Sequence, residues 1–575
     1  MCRIVGNQRG FVAGTLSVRG VAVIAALCVL AVCLIDTHAR AQFGELIAFE
    51  SPGNTTYYLD PDNGDDENRG TRPESAWKTL ARVNTSRFAP GDKILLKAGA
   101  TFHGKLWPKG TGIQGRPITI DSYGDGPPPA IHGDGEASAT LLLENTNAWH
   151  IRNLELTNTG EQPEAFRYGI SILIEDTGDA GDFVLRNLHV HGVNGTEESG
   201  LGEGAAISFS NRGTNVPTRF DGILIESCTV GDSGRNGIVI DSGSTDRARW
   251  LANLNVVIRE NTIQNIRGDG IKLTGCDYAM VEYNTVAGGD ENVNENDTAP
   301  KAVGTRETAD AAGIALQHCD NTLVQFNEVG GVTGAAGAAI RCGENSRANT
   351  FQFNFTHDNG GPMVRIIGDA PTAPVPGNPG GISAGNTQTT VRYNISQCDG
   401  GAFHLLGPVN EARLYNNTVY TGPESRTVAV RLADRGGAPK AVTLANNVFF
   451  TQGTATLDLG PEPDVSLLHN AYAGDCQRPE NEENPVTIDL LLADPGKGIS
   501  RTEGLECYQT LENSPLRGSG VRLTGHGRYD FWANPISAGA KIDIGAYQAP
   551  SDNAATPAQN TPDSAPEAAK PAPKP

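Results

Sequence analysis

An all-β solenoid is the fold class that this sequence predicts, and three observations predict it. First, a short signature recurs: an apolar residue, a spacer or two, Asn, a spacer, an apolar residue. It reads IRNLEL at Asn153, LRNLHV at Asn187, IRENTI at Asn261, VEYNTV at Asn284 and VQFNEV at Asn327. It continues as FQFNFT (Asn354), VRYNIS (Asn394), LYNNTV (Asn417), LANNVF (Asn447) and LLHNAY (Asn470), with Ser227 in the same place in LIESCTV. Second, the steps between these positions are 34, 40, 34, 23, 43, 27, 40, 23, 30 and 23 residues. The shortest step recurs, and the longer ones read as that step plus a loop. A period of this size in short β segments is a solenoid signature, because each turn buries its apolar face only by stacking on the next. Third, the chain has 70 Gly and 3 Met, and its apolar clusters are short and punctuated by Gly, Asn and Asp. That punctuation favours strands and turns over helix bundles. A chain of 575 residues is also too long for one compact domain unless it is built from repeats.

The elements follow in order. Arg3, Arg9 and Arg19 precede an apolar run from Val21 to Ile35, and Ala39-Arg40-Ala41 supplies a small-x-small cleavage site. Residues 1–41 read as a secretory signal peptide with Gln42 as the mature start. A retained anchor and a lipoprotein signal at Cys33 are the alternatives, although Val32 is a poor residue before a lipidated cysteine. Without residues 1–41, which carry four Arg and one Asp, 41 Lys+Arg face 65 Asp+Glu, a net charge of −24. Such acidity argues against a nucleic-acid partner, and it suits calcium-rich surroundings. Beyond the leader no segment is apolar enough to span a membrane. The expected location is extracellular, periplasmic or on the cell surface, and the expected state is a monomer.

Residues 42–134 read as an N-terminal cap and first strands. Thr71 and Glu74 are placed for a capping box with Pro73 in the first turn, and Trp77, Leu80 and Ala81 form an apolar helix face able to plug an open solenoid end. DPDNGDD (Asp60–Asp66) is an acidic turn that lacks the full spacing of a calcium loop. Seven cysteines follow residue 41, of which Cys476 and Cys507, both in the loop-rich C-terminal part, are the expected bridge. Residues 476–549 read as a closing segment, and the Ala/Pro-rich residues 550–575 as a disordered tail.

The xNxI/V…GI rungs of residues 135–475 resemble the right-handed parallel β-helix of the pectate-lyase-like superfamily. The resemblance implies about ten rungs. It places the Asn corner between the second and third strands of each rung and makes the following GI segment the first strand of the next. It implies that the loop from third to first strand borders a substrate groove. The start, YYLDPDNGDDENRGTRPESAWKTLARV, and the end, GRYDFWANPISAGAKIDIGAYQ, also resemble those of secreted β-helix carbohydrate enzymes.

The first strands align by their inward apolar residues: GISILIED, AAISFSN, NGIVIDSG, DGIKLTGC, AGIALQHC, AAIRCG, MVRIIG and AFHLLG. One outward column then holds Ser171, Ser208, Val239, Lys272, Ala315, Arg341, Arg365 and His404. Stacked like charges repel, so a cationic column in an acidic protein predicts either neighbouring acids or a bound anionic sugar. Insertions at 192–204, 287–311 and 369–387 flank it, and Asp241, Asp269, Asp310, Glu203 and Glu344 lie close in sequence. Asp269 reads equally as a turn residue and as a metal ligand.

The resemblance implies a polysaccharide lyase that cleaves an acidic, uronate-containing polysaccharide by β-elimination. It makes Lys272 the base, Arg341 or Arg365 the carboxylate clamp, His404 or His357 the acid, and Asp269, Asp310 and Asp241 ligands of a Ca2+ ion. Lys272, Arg341 and Arg365 are then also substrate-binding. A glycoside hydrolase is the alternative, with two of Asp241, Asp269 and Asp310 flanking the scissile bond. A non-catalytic carbohydrate-binding β-helix is the third reading.

Overall fold

The computed structural model describes residues 47–196, 204–243, 251–288, 311–333, 337–369 and 385–550. Strands dominate, in one 15-stranded and one 23-stranded sheet, both built from parallel ladders. One turn shows the plan. Ile271–Thr274 lies in a first ladder, Met280–Glu282 in a second and Thr285–Ala287 in a third. The next turn lays Ala312–Gln317, Leu323–Gln325 and Glu328–Gly330 directly on them. The 15-stranded sheet is the second ladder, and the 23-stranded sheet holds the first and third. Among the described residues no helix is long and apolar enough to cross a membrane.

Strand alternation builds the core. In the first ladder Ile238 and Ile240, Ile271 and Leu273, Ile314 and Leu316, and Phe403 and Leu405 all point inward and are fully buried. Each such side chain contributes about 1.5–3 kcal/mol when its neighbours on adjacent turns cover it. The Gly of the GI motif has a steric cause. A Cβ at Gly270 would meet the Gly313 carbonyl oxygen at 2.6 Å and Val286 Cγ1 at 2.8 Å, so the third-to-first corner closes only without a side chain.

The corner between second and third ladders carries a continuous asparagine stack. Asn261 donates Nδ2–H to Asn284 Oδ1 at 2.9 Å, and the pattern repeats through Asn327, Asn354, Asn394, Asn417 and Asn447 to Asn470. Asn470 ends it by donating to Glu482 Oε1 at 2.8 Å. The structure corrects the repeat register at three places. The residue before each stacked Asn has positive φ, as at Glu260, Tyr283 and Phe326, and so do Asn153, Asn187 and Ser227. The stack positions in those earlier turns are therefore Leu154, Leu188 and Cys228, all buried. Asn153 and Asn187 sit outside the stack, where Asn187 donates to Asn153 Oδ1 at 3.2 Å.

Three further expectations are corrected near the ends. The Thr71–Glu74 capping box does not form; Pro73–Ser75 is a short 3-10 turn with no side-chain cap. The helix is Leu80–Asn84, capped by Thr79, and it buries Leu80 and Val83 while Ala81 is exposed. Cys476 and Cys507 are free thiols, as are Cys228, Cys276, Cys319, Cys342 and Cys398. The acidic turn is self-contained: Asp60 accepts the Asp62 and Asn63 amides and pairs with Lys97 Nζ at 2.8 Å. The C-terminal segment folds back along the third ladder. Its Leu505, Cys507 and Tyr508 pack on Phe355, Ile395 and Tyr420, and its Leu490, Leu516 and Ile544 pack on Val448 and Ala471. Residues 1–46 and 551–575, with the expected leader and most of the tail, lie outside the described residues, as do 197–203, 289–310 and 370–384 of the three insertions.

Candidate functional site

The first ladder sets the register of the basic column. Ser171 pairs with Ser208, Ser208 with Val239, Val239 with Lys272, Lys272 with Ala315, Ala315 with Arg341, Arg341 with Arg365, and Arg365 with His404. The column then runs one turn further, from His404 to Arg431. Arg431 was legible in VAVRLADR, whose inward Val430 and Leu432 flank it as Ile271 and Leu273 flank Lys272.

Acids meet the column at both ends. Arg341 reaches back across the small, buried Ala315 and pairs with Asp269, Nη2 to Oδ2 at 2.9 Å, with side-chain exposures of 17% and 9%. Arg431 Nε lies 3.7 Å from Asp458 Oδ2 in a more exposed pair. The other Asp269 oxygen accepts the Ala312 amide at 2.8 Å, and the Asp269 amide donates to Asn236 Oδ1 at 3.0 Å. Asp269 is thus a corner carboxylate that caps one turn, hangs on another and holds a guanidinium. Beside the column Gln317 donates to Glu344 Oε1, and His318 Nε2 lies 3.9 Å from the same oxygen.

Two of the expected roles change for a physical reason. His404 is buried, and its Nε2–H donates to the Val428 carbonyl at 3.0 Å. Burial, with Arg365 and Arg431 on either side, pushes His404 down to about 4, so at neutral pH it is a neutral imidazole whose one N–H is committed to Val428. Arg365 is buried between Arg341 and His404. His357 does not join the column at all. It lies on the outward face of the third ladder, between Gly330 and Gln397 in register, where Phe355 packs against the C-terminal segment. Burial opposes its charge, but hydrogen bonds to Asp358 and Glu328 outweigh that and push it up to about 9.

That shift makes a prediction. A histidine raised above its unfolded value of about 6.5 stabilises the fold fully below that pH, and loses the contribution as pH rises through its folded value. The difference in thermal midpoint between the natural chain and His357→Gln is expected to be largest below about pH 6.5 and to vanish above the folded value of about 9. A difference constant over that window, read by calorimetry at each pH, would remove the assignment.

The calcium set does not assemble from the described residues. Both oxygens of Asp269 are engaged by Arg341 and the Ala312 amide, whereas Ca2+ takes six to eight oxygen ligands. Asp241 stands at the far end of its strand, in register with Ser210, and Asp310 lies outside the described residues.

The comparisons with known proteins bear on the choice between the chemistries. No family model matches the chain. The chain is similar to the Lacto-N-biosidase of Bifidobacterium longum subsp. longum, 27% identical over 589 aligned positions that cover 85% of this chain and 35% of that protein. A stretch of 71 residues is 39% identical to Alpha-1,3-galactosidase A of Akkermansia muciniphila and covers 12% of each. The chain therefore spans about a third of the first relative and an eighth of the second. Among solved structures it resembles the GH136 lacto-N-biosidase from Eubacterium ramulus, with a TM-score of 0.52 and 22% identity over 66% of this chain and 65% of that one. The chain has the right-handed parallel β-helix fold expected from its repeats.

The expected lyase chemistry is overturned by the same comparisons. The two curated relatives bear glycosidase names, and the one that covers most of this chain is a lacto-N-biosidase. Of the roles expected for a lyase, Arg341, one of the two clamp candidates, is paired with Asp269, and His404, one of the two acid candidates, is neutral. An aromatic stack also went unread in the sequence. Tyr283, Phe326 and Phe353 precede successive stacked asparagines, and their rings lie 4.8 Å and 5.0 Å apart in line, with Arg501 over Tyr283.

Proposed function

We propose that this chain is a carbohydrate-active glycoside hydrolase that binds its sugar along the first ladder. The observation that carries the reading is the similarity to a lacto-N-biosidase over 85% of the chain. Hydrolysis of a glycosidic bond takes two carboxyl groups, about 5–5.5 Å apart with retention and 6.5–9.5 Å apart with inversion. Asp241 and Asp269 suit neither separation. In register Asp241 stands about five residues along the ladder from Asp269, roughly 16 Å at the rise of an extended strand. The pair we assign is Asp269 with Asp310, which stands two residues before Ala312, the residue whose amide Asp269 accepts. Lys272 is the neighbouring cation, two turns below Arg341, and serves sugar oxygens rather than an α-proton.

The test is turnover of aryl lacto-N-biosides and aryl α-galactosides by the full chain, followed as released phenol, with product ends assayed for reducing sugar and for ultraviolet-absorbing unsaturated sugar. Hydrolysis with new reducing ends and no unsaturated product is expected, and Asp269→Asn and Asp310→Asn should each lower kcat by at least about a thousandfold, leaving Asp241→Asn within a few-fold of the natural chain. Unsaturated product, or binding of these sugars without cleavage, would overturn the reading.

A further inference from the structure

A second cluster of donors lies away from the basic column, on the outward face of the third ladder. In HVHGV, His189 and His191 are two residues apart on one strand, so both imidazoles point to the same side. Glu155, on the preceding turn, sits opposite His189, and Thr157 opposite His191. The two rings stack with centroids 4.0 Å and planes 20° apart. His191 Nε2 lies 3.1 Å from Glu155 Oε1, and one ligand atom from each of the three residues falls within 4.8 Å of the others. Directly after His191 the register slips, with Asn158 opposite Val193, so Gly192 is an extra residue in the left-handed region at φ +59°. A bulge of this kind bends the strand and re-aims the side chain beside it, which here is His191.

We propose that Glu155, His189 and His191 form a binding site for a divalent transition-metal ion of the Zn2+ class. Two imidazole nitrogens and one carboxylate oxygen are the donors that Zn2+ takes, whereas Ca2+ and Mg2+ take oxygen alone. Metal–ligand bonds of about 2.0–2.2 Å put two tetrahedral ligand atoms about 3.3–3.5 Å apart, close to the separation of His191 Nε2 and Glu155 Oε1. Three protein ligands leave a coordination position for water or another donor. The ion also joins two turns of the solenoid, since Glu155 belongs to one and both histidines to the next. An ion that binds only the folded chain raises its stability by mass action. Two other histidines of this ladder provide a built-in comparison. His103 Nδ1 is 2.8 Å from Asp134 and His132 Nδ1 is 2.7 Å from Thr157 Oγ1, so each already has a partner on that nitrogen.

The experiment uses the tag-free full chain, stripped with a chelator and titrated with Zn2+ by calorimetry and with Co2+ by visible absorption. One equivalent of Zn2+, and a Co2+ spectrum of a four- or five-coordinate site, are expected. His189→Ala and His191→Ala should each weaken Zn2+ binding by at least about tenfold, and Glu155→Gln by about tenfold, while His103→Ala/His132→Ala binds as the natural chain does. Zn2+ should raise the thermal midpoint of the natural chain and not that of His189→Ala/His191→Ala, whose metal-free midpoint reports that it is folded. Saturable Zn2+ binding that survives the His189→Ala/His191→Ala change overturns the site, and so does the absence of saturable binding to the natural chain.

Discussion

Arg341→Met is expected to cost about 3 kcal/mol of stability, and Asp269→Asn about 1 kcal/mol or less, although the two changes break the same contact. The asymmetry follows from what each leaves behind. Met keeps the stem of Arg341 over Ala315 but strands a carboxylate of 9% side-chain exposure, with the Ala312 amide as its remaining partner at that end. A buried charge that loses its counter-ion carries the desolvation penalty uncompensated. Asn at 269 keeps an oxygen for the Ala312 amide, much as Asn236 accepts the Asp269 amide one turn below, and it removes the charge. Arg341, at 17% exposure, is the more exposed of the two. The double variant should therefore lie close to Asp269→Asn alone, with a coupling energy of about 3 kcal/mol. Denaturant midpoints at unchanged slope measure all four corners of the cycle. Equal losses from the two single changes would show that the pair is not a buried charge on a rigid corner. The same residues separate stability from chemistry, since Asp269→Asn is expected to abolish turnover while leaving the fold almost intact.

The solenoid was legible because its two periodicities are local. Inward residues alternate along each strand, and the turn repeats every 23 residues or more, so Ile271 and Leu273 fixed the outward direction of Lys272, and the same argument placed Arg341, Arg365 and His404. What failed were features set by contacts between turns. Asn153, Asn187 and Ser227 match the motif by eye, but the backbone puts them in the left-handed position one residue before the stack. Asparagine is favoured at both places for different reasons, left-handed tolerance in one and amide bonding in the other. His357, an acid candidate beside His404 in the sequence reading, ends a third-ladder strand, a placement set by how the turns stack. The pairing of Arg341 with Asp269 spans 72 residues, and no local pattern encodes it. The His189–His191 pair was visible as two histidines on one strand face, but its third donor, Glu155, came into view only with the register of adjacent turns.

Asn354→Leu is expected to be the most damaging single change in the corner stack, at about 4 kcal/mol. The side chain is fully buried and saturated. Its Oδ1 accepts both the backbone amide and the Nδ2–H of Asn327, at 3.0 Å each. Its own Nδ2–H groups donate to the Val324 and Gln352 carbonyls and to Asn394 Oδ1, again at 3.0 Å. Leucine matches the volume but leaves the Asn327 amide and the Val324 carbonyl without these partners in a place water does not reach. Each buried group left unsatisfied costs about 1–3 kcal/mol, and loss of the stack above and below adds to it. Asn187→Ala provides the contrast. That residue carries the same sequence motif, but its Nδ2–H donates to Asn153 in an exposed pair, and its remaining contribution is tolerance of a φ of 51°. The change there should cost about 1–2 kcal/mol, the price of a left-handed alanine. Thermal and denaturant midpoints of the two variants, measured side by side, distinguish the stack from the motif. If Asn187→Ala were as damaging as Asn354→Leu, the stack would have to begin at Asn153 rather than at Asn261, and the register derived from the positive-φ residues would be wrong.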